Sequence, residues 1–214
     1  TYILRFKNLK ERAALFLNGL LQDSELSEKS FTLRLEAGKT NTLSIFTAHN
    51  GRNKQLFYLG GLDTIDVKGI TGPVTLELDG NNAAAKIIVD WKMKGGPGDP
   101  FAPYGWIQTG KENLSVPTFF RSSFILAESD NDQTIIRRVN ITSMGHGSVW
   151  VNGYNLGRYP EKIKVSGLYI PENWLKPGLN SIVVYDEDGI NPEAISIQIE
   201  KEASRGLIRL VAPL

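Results

Sequence analysis

The residues with the clearest potential for chemistry are aromatic and polar side chains placed on turns. Tyr104 and Trp106 lie in an irregular stretch that begins with Gly95-Gly96-Pro97-Gly98-Asp99-Pro100. Aromatic rings on such loops offer flat apolar faces for stacking on a ligand ring, as sugar-binding proteins do. Arg158 and Tyr159 follow a turn signal at Gly157, where a structural role competes with ligand contact. His49 and His146 are the only histidines, and neither has a second histidine or a glutamate at helical ligand spacing. Neither is expected to bind a metal or act as a base. Asp186, Glu187 and Asp188 cluster just before Gly189. Oxygen ligands of this kind suit Ca2+, but a solvated turn is the plainer expectation. Asp63 and Asp66 read as capping or salt-bridging groups. The chain has no cysteine, which removes thiolate nucleophiles, disulfides and Cys-ligated zinc. It also lacks a Gly-x-Ser-x-Gly elbow, a phosphate loop and a dinucleotide fingerprint.

The elements that must hold these residues are strands, and one strand pattern occurs twice. Ala14-Leu15-Phe16-Leu17-Asn18-Gly19 returns as Ser148-Val149-Trp150-Val151-Asn152-Gly153. Each copy runs an apolar strand into Asn-Gly, a strong two-residue hairpin signal. A matching closing strand follows each copy, at Leu35–Phe46 and at Leu175–Tyr185. The offset of about 134 to 140 residues is too long for a solenoid and implies one β-fold used twice. Alternating runs at Phe31–Leu35, Val74–Leu78, Thr118–Leu126 and Ala194–Glu200 predict further strands, and Lys86–Trp91 predicts a core strand. Leu9–Ala14 and Pro171–Leu175 are short enough for a single helical turn. Trp150 reads as a core or interface residue, Trp174 as a plug at the end of a sandwich and Trp91 as a junction marker.

This pattern predicts an all-β chain of two tandem antiparallel sandwiches or jelly rolls. The expected domains are 1–82, 83–203 and a returning C-terminal strand in 204–214. The break is placed at Asp79-Gly80-Asn81-Asn82. The first domain reaches its hairpin only eighteen residues in and reads as lacking its opening strands. A missing strand would leave an unpaired sheet edge, which Gly206–Ala212 is placed to fill.

The bulk numbers exclude several classes. Of 214 residues, 24 are basic and 23 acidic, for a net charge of +1. Such balance gives no electrostatic footprint for nucleic acid or an anionic membrane. No segment approaches the ~20 apolar residues of a spanning helix. No signal peptide is evident, and the compartment stays open: secreted, periplasmic or lysosome-like as readily as cytoplasmic. Sequons at Asn113 and Asn140 read as chance matches.

The stretch Ser143-Met144-Gly145-His146-Gly147-Ser148-Val149-Trp150-Val151-Asn152-Gly153-Tyr154-Asn155-Leu156-Gly157-Arg158-Tyr159 resembles the signature of the C-terminal jelly-roll domain of family-35 glycoside hydrolases, the β-galactosidases. Pro117–Arg121, Leu168–Pro171 and Trp174–Asn180 resemble flanking parts of that domain, in order. Phe16–Gly19, Asn50-Gly51-Arg52 and Asp66–Val74 resemble the preceding β-domain. The resemblance implies two galactose-binding-like sandwiches that accompany a catalytic (β/α)8 barrel of the same protein. The parent reaction would be hydrolysis of terminal β-galactosides. A retaining glycosidase needs two carboxyl groups roughly 5 Å apart, in this family on a barrel of ~250 residues. No position here inherits that role. The chain is therefore expected to be non-catalytic, without metal or cofactor, supporting the barrel and the rim of its active site. The alternative is a stand-alone carbohydrate-binding module for galactosides. The sugar-contact candidates are Trp106, Tyr104, Arg158 and Tyr159.

Overall fold

The computed structural model describes residues 1–10, 12–23, 30–48, 68–79, 85–103, 105–108, 110–128, 135–159 and 167–200. They form an almost entirely antiparallel β structure in two compact units, Thr1–Gly95 and Gly96–Leu214. The division falls in the Gly/Pro-rich stretch rather than at Asp79–Asn82.

In the first unit the strands are β1 (Tyr2–Lys10), β2 (Arg12–Leu17), β3 (Leu20–Asp23), β4 (Ser30–Leu33), β5 (Leu43–Ala48), β6 (Gly69–Leu78) and β7 (Lys86–Ile87). One sheet runs β4-β1-β6-β7 and the other β3-β2-β5. Leu4, Phe6 and Val74 from the first sheet meet Ala13 and Leu15 from the second in one buried cluster. Two expectations fail here. Leu9–Ala14 is not a helical turn, because Leu9 pairs with Ile70 and Ala13 with Thr47 across the two sheets. Ala13, Ala14 and Leu15 are all buried, so tertiary packing overrides alanine's helical preference. Nor is Lys86–Trp91 a core strand. Only Lys86 and Ile87 pair, with β6, and Ile87 and Val89 are exposed. The indole N–H of Trp91 donates to the carbonyl of Ile88 instead (3.1 Å). The expected loop at Asn50-Gly51-Arg52, along with His49, Asp63 and Asp66, lies outside the described residues, as does the expected strand at Gly206–Ala212.

In the second unit the strands are β8 (Thr118–Leu126), β9 (Ile136–Asn140), β10 (Gly147–Val151), β11 (Tyr154–Tyr159), β12 (Leu168–Ile170), β13 (Gly178–Asp186) and β14 (Ser196–Glu200). A four-stranded sheet, β11-β10-β13-β8, and a three-stranded sheet, β12-β9-β14, enclose the core. Phe120, Val149, Val151, Ile182 and Val184 point in from the larger sheet, and Val139, Ile170 and Ile197 from the smaller. This is the expected sandwich. Glu172–Trp174 forms a single 3-10 turn, in the place where a helical turn is predicted. Trp174 stacks on Tyr154 with ring centroids 4.7 Å apart. Trp150 is buried on the opposite face of its sheet, beside Phe119 (6.3 Å).

The internal repeat extends to side-chain hydrogen bonds. Both Asn-Gly pairs adopt positive φ, Asn18 at 53° and Gly19 at 81°, Asn152 at 49° and Gly153 at 92°, as a type I′ turn requires. In the first unit the Asn18 carboxamide oxygen accepts from the Thr42 N–H (2.8 Å) and its Nδ2 donates to Asn41 Oδ1 (3.2 Å). Asn41 then closes its own turn, accepting from Glu36 N and donating to the carbonyls of Glu36 and Lys39. In the second unit Asn152 accepts from Ser181 N (2.9 Å) and donates to Asn180 Oδ1 (2.7 Å). Asn180 accepts from Lys176 N and donates to the carbonyls of Lys176 and Gly178. Two asparagines thus tie each hairpin to its closing strand. The copies differ in burial: Asn41 is half-buried, whereas Asn180 is 0 % exposed.

Candidate functional site

The long signature from Ser143 to Tyr159 folds around a buried acidic turn. Alternation along β13 sends Asn180, Ile182, Val184 and Asp186 inward. The row therefore ends in a carboxylate with no exposed surface. Backbone N–H groups of Asp188 (2.9 Å) and Ile190 (3.0 Å) donate to Asp186 Oδ1, and that of Gly145 (3.2 Å) to Oδ2. The Tyr159 hydroxyl sits 2.9 Å from both Asp186 Oδ2 and the Tyr185 carbonyl, sharing one proton between them. His146 Nδ1 lies 2.9 Å from Asp188 Oδ2, and Arg158 Nη2 lies 2.8 Å from Glu187 Oε1. Asp186 and Glu187 are buried, so the expected solvated turn is a packed polar knot. Its glycines are steric requirements. A methyl group at Gly147 would meet the Tyr185 carbonyl and the Tyr159 hydroxyl, and one at Gly189 would meet the backbone of Val116.

Burial raises the pKa of Asp186, while the Ile190 N–H, the Tyr159 hydroxyl and the Asp188 N–H oppose that rise. The net direction is upward, so the folded unit holds this proton more tightly than the unfolded chain does. The contribution of Asp186 to stability is then fully present below the ordinary aspartate range and is lost as pH rises through the elevated folded value. Tyr159 is pushed up well beyond the normal phenol range, first by burial and then by Asp186. Tyr159→Phe removes a donor that favours the ionised carboxylate. The variant is expected to lose about 1–3 kcal/mol, with a larger loss at pH 7 than at pH 4. Urea titrations at the two pH values check this, and equal losses would contradict it.

The four sugar-contact candidates separate in the structure. Tyr159 is 2 % exposed and its hydroxyl is engaged in the knot. Arg158 is half-exposed but ion-paired to Glu187. Both side chains are engaged by the acidic residues of the knot. Tyr104 lies outside the described residues. Trp106 is 37 % exposed, and the guanidinium of Arg121 lies over its ring at 5.8 Å, within cation–π range.

Arg121 leads to the feature that sequence reasoning missed. It lines a concavity of about 440 Å3 together with Ser122, Ser123, Asn152, Lys176, Leu179 and Ser181. The walls come from β8, from the turn at Lys176 and the start of β13, and from the Asn152 turn. The β8–β13 register sets Ser123 opposite Ser181 and Ile125 opposite Leu179. The volume falls in the range of small-molecule sites, roughly 300–1,000 Å3. The only available signal was the polar run Arg121-Ser122-Ser123 inside an apolar strand. Among the described residues, no group of three or more His, Asp or Glu side chains is arranged to hold a metal. Likewise, no helix among them is long and apolar enough to cross a membrane.

Comparison with known proteins places this geometry in a family context. Residues 117–180 match the family model described as beta-galactosidase, galactose-binding domain. They run from the start of β8 to the Asn180 turn and include the Asn152 hairpin. Beta-galactosidase 8 of Arabidopsis thaliana is 24% identical over 94% of this chain and 28% of its own length. Beta-galactosidase of Bos taurus is 25% identical over 88% of this chain and 30% of its own length. Beta-galactosidase-1-like protein 2 of Homo sapiens is 31% identical over 38% of this chain and 12% of its own length. The chain spans less than a third of the length of these relatives. The chain is similar to β-galactosidases over most of its residues, and its segment 117–180 matches the model of their galactose-binding domain.

Proposed function

We propose that these residues are non-catalytic accessory β-domains of a β-galactosidase-type glycoside hydrolase. They would pack beside a catalytic (β/α)8 barrel of the same protein and help shape the rim of its active site. The parent reaction is then hydrolysis of terminal β-galactosides with retention. The observation that carries this reading is the match of nearly the whole chain to under a third of each β-galactosidase. The chemistry agrees. A retaining site needs two carboxyl groups facing one sugar at roughly 5 Å. Here Asp186 and Glu187 are buried in the packed knot, and no carboxylate lines the 440 Å3 concavity among the described residues. The purified chain is expected to release no chromophore from a nitrophenyl β-galactoside above the buffer rate. Turnover proportional to chain concentration would refute the non-catalytic reading.

A second reading, sugar binding by the Gly96–Leu214 unit, is favoured by Trp106, whose exposed ring is backed by Arg121. Trp106→Ala is expected to remove any heat of galactoside binding in calorimetry. Undiminished heat would exclude that ring.

A further inference from the structure

The concavity beside the Asn152 hairpin has an unusual wall chemistry for a site that holds a neutral sugar. Two of its seven lining residues are cationic, Arg121 and Lys176, three are serines, and among the described residues none is acidic. Asn152 is part of the wall rather than a ligand group. Its Nδ2 donates to Trp174 O and Asn180 Oδ1, and its Oδ1 accepts from Ser181 N. That commitment holds the floor of the groove rigid. Leu179 is 62 % exposed and gives the groove its apolar surface. Arg121 has its guanidinium carbon 5.8 Å from the centroid of the Trp106 ring, and a guanidinium over a ring face keeps N–H donors for an anion.

We propose that this groove binds an acidic saccharide, a galactose-type ring that carries a carboxylate or a sulfate. Arg121 and Lys176 take the anion through charge-assisted hydrogen bonds. The hydroxyls of Ser123 and Ser181, paired across β8 and β13 on the face opposite the core, meet ring hydroxyls, each able to donate and accept. Leu179 covers an apolar ring face. The galactose-type ring follows from the relation to β-galactosidases, and the anion from the unbalanced positive charge of the walls. This goes beyond the accessory role, which makes no demand that the groove bind anything. An absence of binding would leave the activity test of that role untouched.

The test is titration of the intact chain, by calorimetry or amide chemical shifts, with trigalacturonic acid, with a sulfated galactotriose and with neutral galactotriose. Saturable binding of one or both acidic probes, at least tenfold tighter than the neutral probe, is expected, with the shifts centred on 121–123 and 176–181. Arg121→Ala and Lys176→Ala are each expected to weaken it about tenfold, the effect of losing a hydrogen bond to a charged group. Lys39→Ala, a cation distant in sequence and paired with Glu36, should leave it unchanged. Raising NaCl from 50 to 500 mM should weaken it. Equal affinity for neutral galactotriose, insensitivity to both groove variants, or no saturation by either acidic probe would overturn the proposal. Inorganic sulfate binding as tightly as the saccharides would also overturn it, since the groove would then read only an anion.

Discussion

Replacing Gly147 with alanine is expected to cost the second unit about 4 kcal/mol or more, enough to unfold many domains of this size. The reason is steric. The added methyl would be driven into the Tyr185 carbonyl oxygen and the Tyr159 hydroxyl. The carbonyl belongs to β13, where Gly147 is paired with Asp186, and it cannot retreat without opening the β10–β13 ladder. The phenol cannot retreat without leaving Asp186. Gly153→Ala makes a useful contrast. A methyl there meets nothing within 4 Å, but the residue holds φ at +92°. Its cost should come from backbone strain alone, about 1–2 kcal/mol. Thermal midpoints and urea titrations of the two variants check both numbers. Similar small losses at both sites would mean that Gly147 has more room than its neighbours show.

Asn180→Ala should rank next, at about 2–4 kcal/mol. Its carboxamide bridges the Asn152 side chain, the Lys176 N–H and carbonyl, and the Gly178 carbonyl. At zero exposure, removing it strands these groups without water, at roughly 1–3 kcal/mol for each group left unsatisfied. The equivalent residue of the first unit, Asn41, makes the same pattern of bonds at the surface. Water can replace those bonds, so Asn41→Ala is expected to cost about 1 kcal/mol or less. Denaturation of the two variants, followed by a probe in each unit, measures the difference. Equal costs would show that the network, and not its burial, sets the energy.

Much of this structure was legible in the residues. The run that follows Pro117 predicted β8 to the residue, and alternation and turn chemistry predicted both Asn-Gly hairpins and the sandwich class. The failures are informative. Lys86–Trp91 is apolar enough for a core strand, yet only Lys86 and Ile87 pair in the ladder, Ile88 alone packs on the core, and Ile87, Val89 and Trp91 are exposed. Composition cannot report how far along a strand the pairing with its partner continues. For Arg158 and Tyr159 the sequence leaves a structural role and ligand contact in competition, and no local pattern names their partners. Their partners, Glu187 and Asp186, lie almost thirty residues away in sequence.

By itself, the sequence determined the β architecture, its repeated hairpin and the similarity to β-galactosidases, because periodicity and turn residues act over a few neighbouring positions. Only the tertiary structure decided which polar residues face water. It buried Asp186 and Glu187, closed Tyr159 over Asp186, and opened a cationic groove from residues on β8, β13, the Asn152 turn and the Lys176 turn. Burial and charge balance are sums over segments far apart in the chain, so no local pattern could have announced them.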